Sequence, residues 1–396
     1  MRDSLQTLTI SNPRLIADDP VVATSDRSNR YKFEYLPQLD GLRGVAVVLV
    51  IFAHTVLSAN IANRWLVLFG PLGNLGVLLF LVLSGFLITR LLFTERQETN
   101  DVNLKAFYAR RILRLLPALT AFLVVMLLLE KSRVIAPVSN WEFVACLLYA
   151  RNFYGHSMAL THLWSLSLEE QFYLCWPLLL CALPVKWVFR TALIATCGIA
   201  AFRALAIHFD LLNLRQSIHD WRPYFRFDSF LIGACLALAL ASFPRLFDHL
   251  RSIMRGLPVG LLWVALLVWS MIGTRFNYCF FQSIQLILAI VLLTQLVVGE
   301  GRWSQRVFRH PVLRRLGKIS YALYLWQQLF TLARPASWGT WPTFPVWLLP
   351  PLLLAAFSYH FIESPALRLK RRFEYVPHGA LSVSGEPELW AAPGSA

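Results

Sequence analysis

Leu72-Gly-Asn-Leu-Gly-Val-Leu-Leu-Phe-Leu-Val-Leu-Ser-Gly-Phe-Leu-Ile-Thr-Arg-Leu-Leu92 decides the fold. Apart from Arg90 near its end the stretch carries no charge, and at 1.5 Å per helical residue it covers the roughly 30 Å of a bilayer's hydrocarbon core. Similar apolar runs recur at Val45–Leu57, Leu115–Leu129, Phe172–Leu183, Val259–Ile272 and Ile284–Val298. Composition agrees: 57% of the 396 residues are hydrophobic and 15% charged, and the mean hydropathy is +0.54. Backbone groups inside lipid must be satisfied internally, so the fold class expected is all-α, a polytopic integral membrane protein. The runs place about ten transmembrane helices near 42–60, 70–92, 114–130, 163–183, 188–207, 227–243, 257–273, 279–298, 319–333 and 345–363.

A net charge of +15 raises the question of nucleic acid, and its distribution answers with topology instead. With the N-terminus inside, the cytoplasmic segments hold about 27 of the 37 basic residues, so the positive-inside rule predicts both termini in the cytoplasm, N-in and C-in. Trp141–Tyr154 is short and broken by Arg151 and Asn152, and reads as an interfacial or re-entrant piece on the outer side. Three regions are expected: a cytoplasmic tail 1–34, a membrane domain 35–370 and a cytoplasmic tail 371–396, both tails rich in polar and turn-forming residues and loosely ordered. No cleavable signal peptide is expected, because the first 34 residues are polar. Cys146, Cys175, Cys181, Cys197, Cys235 and Cys279 lack metal-ligand spacing and read as small packing residues.

Ionisable groups inside hydrocarbon are costly and need either a partner or a function. Arg43 and His54 lie eleven positions apart in the first span, three helical turns plus about 20°, so they share a face roughly 16 Å apart. Alone, Arg43 would read as a snorkelling anchor, His54 as a core histidine, and Asp40 as the helix N-cap. His162-Leu-Trp-Ser-Leu-Ser-Leu-Glu-Glu-Gln-Phe-Tyr173 changes that reading, since it brings Glu169 and Glu170 into the membrane from the outer side at nearly the depth of His54. A carboxylate beside an imidazole orients the ring and raises its basicity, so Glu169, Glu170 and His54 are the candidate catalytic residues. Phe107-Tyr-Ala-Arg-Arg-Ile-Leu-Arg-Leu-Leu-Pro117 sets Arg111 and Arg114 on one face at the cytoplasmic boundary, with Arg110 alongside. Paired guanidiniums suit phosphate, which makes Arg111, Arg114 and Arg43 candidates for holding a phosphorylated cofactor; topogenic charge or contact with anionic headgroups would use the same residues. Glu363-Ser-Pro365 reads as the terminator of the last span.

Taken in order, these segments resemble the acyltransferase 3 family of membrane acyltransferases. The resemblance rests on Leu39-Asp-Gly-Leu-Arg-Gly-Val-Ala-Val through His54, Gly76 to Ile88, Phe107 to Arg114, His162 to Tyr173, Arg226-Phe-Asp-Ser-Phe-Leu-Ile-Gly233, Ile319-Ser-Tyr-Ala-Leu-Tyr-Leu-Trp326 and Phe361-Ile-Glu-Ser-Pro365. It implies ten helices in the inner (plasma) membrane, with the family's arginine, histidine and paired arginines falling on Arg43, His54, Arg111 and Arg114. It implies transfer of an acyl group, usually acetyl, from cytoplasmic acyl-CoA to a hydroxyl of a surface polysaccharide, peptidoglycan, a lipid-linked sugar or a small product, without a metal. His54 would deprotonate the acceptor hydroxyl or carry the acyl group itself. Gln327 and Gln328 mark a departure, because the family often has a histidine just after the Tyr-Leu-Trp of the ninth span. No hydrolase-like extension follows the membrane domain, so transfer is expected on that domain itself. A proton-coupled transporter or flippase for a glycolipid would also use intramembrane carboxylates and a histidine, but would show two related halves with Gly/Pro-broken segments. A non-enzymatic sensor has no use for histidine, glutamates and arginines on one route.

Overall fold

The computed structural model describes residues 35–58, 69–209, 222–272, 278–299, 303–333 and 348–370. The two tails, and with them the expectation that they are loosely ordered, lie outside the described residues, as does the side chain of Cys279. Among the described residues the ordered elements are helices: α1 (Pro37–Ser58), α2 (Leu72–Thr99), α3 (Leu104–Lys131), α4 (Asn140–Leu147), α5 (Leu163–Ala182), α6 (Val185–His208), α7 (Pro223–Ser242), α8 (Pro244–Gly256), α9 (Val259–Ile272), α10 (Tyr278–Val298), α11 (Trp303–Phe308), α12 (Pro311–Lys318), α13 (Ser320–Phe330) and α14 (Leu349–Ser358). After α14 a π-helical turn, Tyr359–Glu363, leads into α15 (Ser364–Lys370).

Every stretch that the sequence marks as a span carries a helix. Six of them, α1, α2, α3, α6, α7 and α10, are long and apolar enough to cross a membrane, and the α8–α9 pair, bent by 83°, would add a seventh if counted as one broken span. Helix α5 has the length, but Glu169, Glu170 and Gln171 depress its hydropathy. Helices α13 and α14 are short among the described residues. Contrary to the terminator reading of Glu363-Ser-Pro365, the helix runs on: the π turn absorbs one extra residue and α15 follows from Ser364, with Pro365 as its second residue.

The chain is turned inside out relative to a soluble protein. Ile112, Leu128, Leu174, Ile194, Leu261 and Phe361 face outward, while Arg110, Arg151, Arg203, Asp228, Gln327 and Glu363 are buried. An apolar exterior around polar groups fits lipid as the surrounding medium, because polar groups avoid hydrocarbon by turning to one another. Arg203 and Asp228 meet at 2.9 Å with both side chains fully buried, and Arg203 also donates to the Phe225 carbonyl at 2.8 Å.

Helix α2 is the spine. Gly85 packs on the Phe230 carbonyl of α7 and Gly233 of α7 on the Val82 carbonyl of α2, so the two backbones meet with no side chain between them. A second close approach joins α1 to α11 and α12, where Gly41 and Gly44 face the carbonyls of Phe308 and Leu313, and Gly317 faces that of Asp40. Asp40 itself lies in the first turn of α1, not at the N-cap, because the helix begins at Pro37. One apolar cluster fills α1, α2, α7, α9 and α10, a second α1, α3, α5 and α13, and a third α2, α5, α6 and α7. The second and third meet along α5.

The stretch 141–154 forms the short helix α4 and a turn. Glu142 accepts from the backbone N–H groups of His156 and Ser157 at 2.9 and 3.1 Å, and Arg151 donates to the carbonyls of Gly155 and Ser157 at 2.9 Å. A side chain at Gly155, where φ is +118°, would collide with both residues. Cys146 is buried here, and burial pushes its thiol up to about 12, which suits a packing residue and not a reactive one.

Candidate active site

Helices α1, α2, α3, α5 and α13 converge around a cavity of about 70 Å³, room for several waters. Arg43 of α1, Ser84 of α2, Arg111 and Arg114 of α3, Ser165 and Glu169 of α5, and Tyr321 and Tyr324 of α13 line it. Four of the six residues singled out in the sequence therefore meet: Arg43, Arg111, Arg114 and Glu169. His54 and Glu170 are not among the lining residues.

The arginines arrive by different routes. Asn103 caps α3 by accepting from the Ala106 N–H at 2.9 Å, which starts the helix so that Arg111 and Arg114, one turn apart, face the cavity. Arg110 turns away and pairs with Glu95 of α2 at 3.6 Å. The Arg111 guanidinium lies 3.8 Å from the centre of the Tyr173 ring, a cation–π contact that fixes its plane. Arg114 feels the charges of Arg43 and Arg111, so three cations share one small volume. Among the described residues no ion pair joins any of the three to a carboxylate.

Carboxylates stand near without closing on the cations. Glu169 accepts from Ser84 Oγ at 2.6 Å and from the Tyr173 hydroxyl. Glu170 is half-buried, with one enclosed carboxylate oxygen lacking a hydrogen-bond partner among the described residues, and its charge acts on Arg111 and Arg114. Glu363, on the π turn, is buried, also has one oxygen without such a partner, and acts on Arg114. The sequence reading missed Glu363 as a site residue; a carboxylate closing an apolar run, followed by a helix that does not stop, was the available signal. Ser84 and Tyr173 were missed as well, and nothing in their spacing marks them.

His54 has a different neighbour from the one expected. Its Nδ1 lies 3.1 Å from Oε1 of Gln327 on α13, and among the described residues neither Glu169 nor Glu170 hydrogen-bonds to it. Equal depth in the membrane brought the glutamates into consideration, but depth leaves open the direction in which a side chain points. Glu169 faces α2, whereas His54 faces α13. His162 precedes α5 with its ring edge-on to Phe122 and 5.2 Å from Tyr324; both ring nitrogens lack a hydrogen-bond partner among the described residues. Tyr324 ties this end of the site together, meeting Ser165 Oγ at 2.8 Å and donating to the His162 carbonyl.

A family model described as an acyltransferase domain matches residues 36–361, nearly all of the described chain. The chain belongs to the acyltransferase 3 family. Among curated relatives, a candidate O-acetyltransferase of Staphylococcus aureus strain MRSA252 is 31% identical over 384 residues, covering 87% of this chain and 60% of that protein. The peptidoglycan O-acetyltransferase OatA of Listeria monocytogenes is 28% identical over 368 residues, covering 86% of this chain and 57% of the relative. The O-acetyltransferase OatA of S. aureus strain NCTC 8325 is 30% identical over 376 residues, covering 88% and 60%. The chain thus spans about 60% of the length of the curated relatives it matches. No solved structure matches the chain.

Proposed function

We propose that this protein is a membrane O-acyltransferase that moves an acetyl group from cytoplasmic acyl-CoA to a carbohydrate hydroxyl, in a ten-span domain of the plasma membrane with both termini in the cytoplasm. The observation that carries the reading is the gathering of Arg43, Arg111 and Arg114 on one cavity with no carboxylate paired to them among the described residues. A cation cluster left open in this way costs folding energy unless an anion completes it. Phosphate groups meet guanidinium forks in bidentate geometry, so these three residues fit the phosphates of acyl-CoA, which supplies the activated acyl group as a thioester. Relatives named as O-acetyltransferases, one of them acting on peptidoglycan, point to acetyl as the group and to a glycan as the acceptor.

In this scheme Arg111 is held rigid by Tyr173 and Arg114 stands one turn further into the membrane, so the two define the donor end of the cavity. Glu169, Glu170 and Glu363 keep the arginines oriented between turnovers by partial neutralisation. His54 takes the proton of the acceptor hydroxyl as its oxygen attacks the acyl carbon, and the imidazolium returns that proton to the departing sulfur. Ester and thiol are the products, and no proton is gained or lost overall.

Purified protein in vesicles tests the proposal directly. Supplied with acetyl-CoA carrying a labelled acetyl group and with a peptidoglycan-derived or lipid-linked saccharide, it should yield labelled ester that mild base releases. Absence of transfer to every carbohydrate hydroxyl, with acyl-CoA still bound, would rule the reading out. The topology has its own check: a reporter joined after Ala396 that is active only outside the cytoplasm should stay silent.

A further inference from the structure

A backbone carbonyl only accepts hydrogen bonds, so a chain of amides anchored on one can be read in a single direction. Such a chain runs from Met158, in the turn before α5, to His54 on α1. Gln328 Nε2 donates to the Met158 carbonyl at 2.5 Å. That leaves the Gln328 Oε1 facing its neighbour, and Gln327 Nε2 donates to it at 3.4 Å. Gln327 must then turn its own Oε1 toward His54, whose Nδ1 is 3.1 Å away; Thr331 Oγ1 stands 3.2 Å from the same oxygen and 3.0 Å from the Gln327 carbonyl, to which it donates.

Reversing either amide sets oxygen against oxygen. With Gln328 flipped, its Oε1 would face the Met158 carbonyl; with Gln327 flipped alone, its Oε1 would face that of Gln328. Both glutamines are fully buried, so water cannot relieve the mismatch. An unprotonated Nδ1 would set its lone pair against that oxygen, so Nδ1 carries the hydrogen.

We infer that Gln327 and Gln328 are positioning residues that lock His54 in its Nδ1–H tautomer and so present Nε2 as the lone pair that meets the acceptor hydroxyl. The inference rests on the proposed role of His54 as base and says which atom performs it. An amide, held by a second amide, here does the orienting that a charged carboxylate does in other histidine sites. Among the described residues no hydrogen bond joins His162 to His54; the His162 ring packs against Phe122 and Tyr324.

The tautomer can be read without any turnover. Protein labelled with ¹⁵N at histidine and placed in nanodiscs should give, after subtraction of the spectrum of a His54→Gln sample, one neutral imidazole with a pyrrole-type Nδ1 and a pyridine-type Nε2. Gln327→Leu, or Gln328→Met if the first variant folds poorly, should populate both tautomers and lower acyl transfer at least about 10-fold, as histidines in the wrong tautomer do. A protonated Nε2 in the parent protein would overturn the inference, and so would an unchanged Nδ1–H ring in both variants. If the parent has the Nδ1–H ring, the variants relax it, and His54→Ala remains active, then the catalytic reading fails while the tautomer assignment stands.

Discussion

Replacing Gly85 with alanine tests how the site is held in place. An alanine Cβ there would lie 2.0 Å from the Phe230 carbonyl oxygen and 2.8 Å from the Phe230 Cα. Non-bonded heavy atoms settle about 3.5 Å apart, so α2 and α7 would have to part by about 1.5 Å. Overpacking of this kind costs about 1–3 kcal/mol, because backbone cannot rotate aside as a side chain can. The separation would also draw Ser84, next in sequence, away from the Glu169 carboxylate it meets at 2.6 Å. Gly198 is the matched control: it lies within α6 with nothing near its missing Cβ. Alanine there should be neutral or stabilising by up to about 1 kcal/mol, since glycine is the poorer helix former. Unfolding titrations in mixed micelles, followed by helicity, give both values. The reasoning fails if Gly85→Ala proves as stable as Gly198→Ala.

Two further outcomes follow from the charged residues. Changing Arg111 and Arg114 together to alanine should weaken acyl-CoA binding by roughly 2–4 kcal/mol, about 1–2 for each charge-assisted hydrogen bond removed, while the protein stays folded in the membrane; calorimetry on the purified double variant would return the two arginines to a topological role if affinity is unchanged. Arg203→Ala strands the fully buried Asp228 without its partner and should cost about 3–5 kcal/mol of stability, read as a drop in monodisperse protein on heating in detergent, and wild-type behaviour there would mean that the pair is dispensable.

Much of the architecture could be read from the chain because lipid imposes a simple rule: long apolar runs become helices, and each of the ten stretches marked in this way carries one. What could not be read is how the shorter ones end. Helix α14 passes through a π turn at Tyr359–Glu363 and continues, which Glu363-Ser-Pro365 does not announce. In the site, Arg111 and Arg114 were visible because i, i+3 spacing fixes a shared face within one helix. The partner of His54 was not, since Gln327 lies 273 positions along the chain and only the packing of α1 against α13 brings the two together. Glu169 had the right depth and the wrong azimuth, and helical periodicity within one segment carries no information about how two helices are rotated against each other.

The central claim is that His54 carries the chemistry, and turnover per folded molecule of His54→Ala tests it most directly. General-base catalysis is worth about 10²–10⁴-fold, so acyl transfer should fall by at least about 100-fold while expression and acyl-CoA binding change little. A well-folded His54→Ala protein that acylates its acceptor within a few-fold of the parent would contradict the account.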